Sequence, residues 1–77
     1  MAPDEATTIL IVEDEAVLRG MVEQWLRKNG YRVFTAGDTR EAERVLEIAE
    51  PQLMMLDIRL PKESGIDFLA RIRDQYP

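Results

Sequence analysis

Neither cysteine nor histidine occurs anywhere in the sequence. Without cysteine there is no disulfide framework and no thiolate metal site. Without histidine there is no imidazole acid–base chemistry, no imidazole metal ligation and no phosphohistidine relay within the chain. No stretch approaches the roughly 18 consecutive apolar residues that a membrane-spanning helix needs. The opening Met1-Ala2-Pro3-Asp4-Glu5 lacks the basic and apolar regions of a secretory signal. Cations are the minority charge: ten Lys and Arg stand against fifteen Asp and Glu, for a net charge of −5. That balance disfavours a nucleic-acid surface, which needs Lys and Arg against phosphate, and is compatible with holding a cation. A chain of this composition is expected in the cytoplasm and off the membrane.

What is present is an ordinary globular mix, 45% hydrophobic and 32% charged. At 77 residues there is room for one domain, which would bury only about 60% of the surface its unfolded chain exposes. A polar leader, residues 1–7, is expected to be disordered, with one folded unit over residues 8–77.

Ile9-Leu10-Ile11-Val12 is a short, continuous apolar run, the pattern of a strand covered on both faces. Glu13, Asp14 and Glu15 follow at once, and Glu15 is assigned only to a helix start. Leu18, Met21, Val22, Trp25 and Leu26 then recur at helical spacing, and Gly30 stands at a left-handed helix end. Residues 31–36 read as a second strand, whose Arg32 and Thr35 suit an edge. Asp38 and Glu41 predict a capping box for a second helix, with Ala42, Val45, Leu46 and Ala49 as its apolar stripe and Pro51 as its stop. Leu53-Met54-Met55-Leu56 is a third apolar strand ending at Asp57. Ser64 with Asp67 begins a third helix carrying Leu69 and Ile72, with Ile66 and Phe68 near its start. Trp25, Met21, Met54 and Met55 are expected in the core. Gly65 serves either local backbone geometry or the close approach of another element.

Strand and helix alternating three times predict βαβ units and an α/β fold with a parallel sheet. Right-handed crossovers place the strands in the order 2-1-3, with a topological switch point between the first and third. Ligands of open α/β sheets bind there, outside the carboxyl ends of the strands. Glu13, Asp14 and Asp57 all fall at those ends.

Acidic residues after a strand often do no more than begin the next helix, and Asp57 alone would serve as a turn residue. The three together ask for more, because like charges held close require a proton or a cation. A set of hard oxygen donors without imidazole or thiolate favours Mg²⁺. A cation there would bring a phosphoryl donor to Asp57, whose ionised carboxylate is a competent nucleophile. Arg59 and Lys62 stand in the loop that follows; a specific role for Lys62 is not expected.

Two stretches resemble a known family. Ile-Leu-Ile-Val-Glu-Asp-Glu over residues 9–15 is similar to the first strand and acidic pair of two-component response-regulator receiver domains. Leu-Met-Met-Leu-Asp-Ile-Arg-Leu-Pro over residues 53–61 resembles their phosphoacceptor strand and the loop after it. The resemblance runs from Thr8 to Pro77, the chemotaxis-type phosphoacceptor fold. It implies a flavodoxin-like doubly wound parallel sheet, phosphorylation of Asp57, and Mg²⁺ held by Asp14, by Glu13 through water, by Asp57 and by the backbone carbonyl of Arg59. The implied phosphodonor is a sensor histidine kinase or a phosphotransfer protein. Pro61 and Gly65 match positions that shape the loop.

The family has five strands and five helices, and three of each are legible here, so the implied sheet is truncated. The family's Ser or Thr at the end of the fourth strand and its Lys at the end of the fifth have no counterpart. The third strand would then present an apolar edge, a template for self-association. Two other functions compete with the phosphoacceptor. One is an interaction module that keeps the fold without the chemistry. The other is a Mg²⁺-dependent phosphohydrolase of the haloacid-dehalogenase type, which wants a second Asp where Arg59 stands.

Overall fold

The computed structural model describes residues 6–75. Residues 1–5 of the expected leader lie outside the described residues. The elements run β1 (Thr8–Val12), α1 (Ala16–Lys28), β2 (Arg32–Ala36), α2 (Thr39–Ala49), β3 (Leu53–Leu56) and α3 (Gly65–Ile72).

The three strands form one parallel sheet in the order β2-β1-β3. Ile9 stands opposite Val33 and Leu53, and Val12 opposite Ala36 and Leu56. As expected from its uninterrupted apolar run, β1 is central, and Ile9, Leu10, Ile11 and Val12 are all buried. Its side chains alternate between two cores. Leu10 and Val12 join Ala42, Val45, Leu46, Phe68 and Ile72 beneath α2 and α3. Ile9 and Ile11 join Val33 and Leu26 on the α1 side, with Val22 and Tyr31 packed against them. Covering both faces of the sheet is the doubly wound arrangement.

Local chemistry sets the helix ends. The Asp38 carboxylate caps α2 by accepting from the Glu41 amide at 2.8 Å, and Glu41 reaches back to accept from the Gly37 amide at 2.6 Å. Ser64 caps α3 by accepting from the Asp67 amide at 3.1 Å. Beyond α1, Gly30 takes a φ of 90°, a conformation that costs a residue without a side chain least. Glu15 stands at the N-cap of α1 without making a side-chain capping bond.

Three packing expectations are corrected. On α1 only Leu26 is buried, whereas Met21 and Trp25 are 62% and 63% exposed and Leu18 is exposed as well. The helix lies over β1 and β2, so the part of its stripe that points past β1 toward β3 has no layer above it among the described residues. For the same reason Leu53 and Met55, on the α1 side of β3, are exposed, while Met54 and Leu56 pack from the other side against the larger core. On α3 the buried face is Gly65, Phe68 and Ile72. Ile66 and Leu69 sit one position round the helix, at 100° per residue, and remain exposed.

Candidate functional site

The carboxyl ends of β1 and β3 are tied together. The Asp57 amide donates to the Val12 carbonyl at 3.0 Å, and the Glu13 amide donates to the Ala36 carbonyl at 3.0 Å. Sheet pairing thus continues one residue past the strands and brings Glu13, Asp14 and Asp57 to one spot. One carboxylate oxygen from each lies within 4.8 Å of the others, with Glu13 and Asp57 half-buried and Asp14 exposed. Among the described residues no salt bridge reaches any of the three.

Glu13 registers the crowding. A hydrogen bond from the Glu15 amide, 3.1 Å long, draws its pKa down. Partial burial, a hydrogen bond shared with Asp14 and the negative charges of Asp57 and Asp14 outweigh that bond and hold Glu13 above its ordinary value. A cation among these oxygens would relieve the repulsion. The donor set, carboxylate oxygen with no nitrogen or sulfur, fits a hard divalent ion.

The β1–α1 turn is braced by Arg19, whose Nη1 donates to the Glu13 carbonyl at 2.8 Å. Arg59 lies beside Asp57, and its amide donates to Asp57 Oδ1 at 3.1 Å. Glu13, Asp14, Glu15, Leu18, Asp57 and Arg59 line an open concavity of about 420 Å³. A second, apolar hollow of about 250 Å³ adjoins it, walled by Ile11, Leu18, Val22 and Met55 among others.

The loop after Asp57 is anchored at several points. The Gly65 amide donates to the Ile58 carbonyl at 2.7 Å. A Cβ on Gly65 would overlap the Asp57 carbonyl oxygen, so close approach is the reason for glycine there. Leu60 is buried in the larger core. Lys62 takes a φ of 70°, and the Glu63 amide folds back to the Pro61 carbonyl at 2.8 Å, closing a three-residue turn. Glu63 then meets Arg71 in a two-pronged ion pair, Nε to Oε2 at 3.0 Å and Nη2 to Oε1 at 2.9 Å.

The structure therefore places all four residues singled out from the sequence, Glu13, Asp14, Asp57 and Arg59, around one concavity. Arg19 and the Glu63–Arg71 pair were not foreseen. Arg19 acts on a backbone carbonyl, which leaves no trace in residue pattern. Glu63 and Arg71 are eight apart, a spacing that no regular element brings together.

Known proteins resemble this chain over most of its length. A family model for the response regulator receiver domain matches residues 9–77. The chain is 38% identical over 76 residues to the probable transcriptional regulatory protein TcrX of Mycobacterium tuberculosis, covering 99% of this chain and 32% of that one. It is 41% identical over 66 residues to the phosphate regulon transcriptional regulatory protein PhoB of Pseudomonas aeruginosa, covering 86% and 29%. The chain thus spans about a third of the length of these curated relatives. Among solved structures, the chemotaxis protein CheY4 of Vibrio cholerae superposes with a TM-score of 0.84 at 33% identity, covering 92% of this chain and 61% of that one. The response regulator TrrA of Thermotoga maritima, solved in complex with Mg(2+)-BeF, superposes with a TM-score of 0.83 at 32% identity, covering 90% and 60%.

Proposed function

This chain belongs to the response regulator receiver domain family, and on that premise we propose that Asp57 accepts a phosphoryl group in a Mg²⁺-dependent step of two-component signalling. The observation that carries the reading is the meeting of Glu13, Asp14 and Asp57 within 4.8 Å at the switch point of the sheet. A relative of the same fold solved with Mg(2+)-BeF supports it. Receiver domains are signalling modules rather than turnover enzymes.

Asp14 and Asp57 would hold Mg²⁺ directly and Glu13 through water, with the Arg59 carbonyl as the backbone ligand. Bound Mg²⁺ supplies neutralisation of the carboxylates and of the incoming phosphoryl oxygens. An Asp57 carboxylate oxygen attacks phosphorus, while the phosphorus–nitrogen bond of a phosphohistidine donor breaks and its imidazole takes up a proton. The donor class is a sensor histidine kinase or phosphotransfer protein.

The test is intact mass after incubation with Mg²⁺ and acetyl phosphate, with Asp57→Asn as control. Gain of one phosphoryl group by the wild type, absent in the control, is expected. An unmodified mass from folded wild-type protein would remove the reading.

A second role is favoured by one observation. The outer edge of β3 is unpaired among the described residues, and Leu53 and Met55 stand exposed along it. An apolar edge strand is a template for pairing, which supports self-association through β3. Sedimentation velocity across a concentration series tests it, and a single monomeric species throughout would end it.

A further inference from the structure

Arg71 occupies the last turn of α3, where a cation ordinarily does no more than complement the helix dipole. Here its guanidinium is shared among three elements. Both prongs of the fork hold Glu63 in the loop after Asp57. The remaining nitrogen contacts Glu43 on α2. The plane lies 5.4 Å from the centre of the Phe68 ring, one of the most deeply buried side chains of the protein.

Isolated surface ion pairs contribute little, because two long side chains must be ordered for a screened attraction. A two-pronged guanidinium–carboxylate pair inside a cluster is the exception, since its geometry is fixed and one side chain is ordered for several contacts. The loop it restrains is short. Between Asp57 and the cap Ser64, the far side is fixed by Glu63 and the near side by the buried Leu60. The Arg59 backbone lies between these fixed points and Asp57, against the carboxylates.

We propose that Arg71 is a positioning residue, which through Glu63 keeps the Arg59 backbone against the Glu13–Asp14–Asp57 cluster and thereby sets the affinity of the site for a divalent cation. The inference rests on the phosphoacceptor reading and deepens it, by naming a control on cation binding that lies outside the acidic cluster.

The test measures Mg²⁺ binding by titration calorimetry and, without Mg²⁺, amide hydrogen exchange of residues 58–64. The variants are Arg71→Ala, Arg71→Lys and Glu63→Gln. Arg71→Ala is expected to weaken Mg²⁺ binding about threefold and to speed exchange in 58–64, leaving residues 9–12 as protected as before. Arg71→Lys restores only part of either, because an ammonium cannot form the fork. The Arg71→Ala/Glu63→Gln pair behaves like Arg71→Ala alone, since the Glu63 contact is already lost there. Arg27→Ala, which breaks a surface pair on α1, leaves Mg²⁺ binding unchanged.

Wild-type Mg²⁺ affinity and exchange in a folded Arg71→Ala protein would overturn the proposal while leaving Asp57 as phosphoacceptor. Should that variant fail to fold, Arg71→Lys and Glu63→Gln decide by the same two readings. No Mg²⁺ binding by the wild type would overturn both this proposal and the reading beneath it.

Discussion

Gly65 lies so close to Asp57 that a single methyl group on its Cα would strike the Asp57 carbonyl oxygen. The first turn of α3 is therefore built against the backbone of the proposed phosphoacceptor. Gly65→Ala forces the two apart, an overpacking that costs about 1–3 kcal/mol. Because the displaced backbone is that of the proposed nucleophile, phosphorylation of Asp57 is expected to fall by about tenfold or more, even where the fold survives. Initial rates with acetyl phosphate, read beside thermal melts, check this. A stable Gly65→Ala protein with wild-type rates would contradict it.

Glu13 gives the site a pH signature. Its folded pKa is raised: the Glu15 amide pulls it down, but burial, Asp14 and Asp57 prevail. A raised carboxylate binds more protons in the fold than in the unfolded chain. Its contribution is thus present below the ordinary carboxylate pKa and is lost as pH climbs through the raised value. Added Mg²⁺ should accordingly stabilise the protein more above that window than below it. Asp57→Asn, which removes one repelling charge, should bring the Glu13 titration closer to normal. Carboxyl NMR titrations with and without the substitution read both effects.

Phe68 joins α3 to the core with no exposed surface at all. Phe68→Ala is expected to cost about 3–5 kcal/mol. That is a large part of the stability available to so small a domain, so urea unfolding should show a midpoint near zero denaturant. A well-folded variant would mean that the cavity collapses without loss.

Met55 marks the outer edge of the sheet, exposed on the α1 side of β3. Met55→Lys places a charge where a pairing strand would dock, while the lysine's aliphatic stem keeps the apolar contacts at the base of the side chain. Self-association, followed by sedimentation velocity, should diminish, while circular dichroism stays that of the wild type. Equal association in both proteins would move the contact elsewhere, with the exposed Met21 and Trp25 of α1 next in line.

The sequence was most informative where structure is local or strictly periodic. Four apolar residues in a row required a strand covered twice, and β1 is that strand. Asp38 with Glu41 and Ser64 with Asp67 each fixed a helix start within one turn. Three carboxylates at strand ends followed from topology, because strand order decides which ends meet. The failures share a cause. Met21, Trp25, Ile66 and Leu69 are apolar at plausible spacing, but what covers a helix face depends on layers that its own period does not encode. The Glu63–Arg71 fork joins a loop to a helix across eight positions, and only the folded path of the chain makes them neighbours.

The alternation of β1 between two separate cores bears on how such a sequence can change over time. Leu10 and Val12 answer to α2 and α3, whereas Ile9 and Ile11 answer to α1. Substitutions beneath one layer need no compensation beneath the other, so the two sides can drift as independent lineages of change. The strand between them has no such liberty. It is also the strand that delivers Glu13 and Asp14, so a change on either of its faces bears on where those two carboxylates stand.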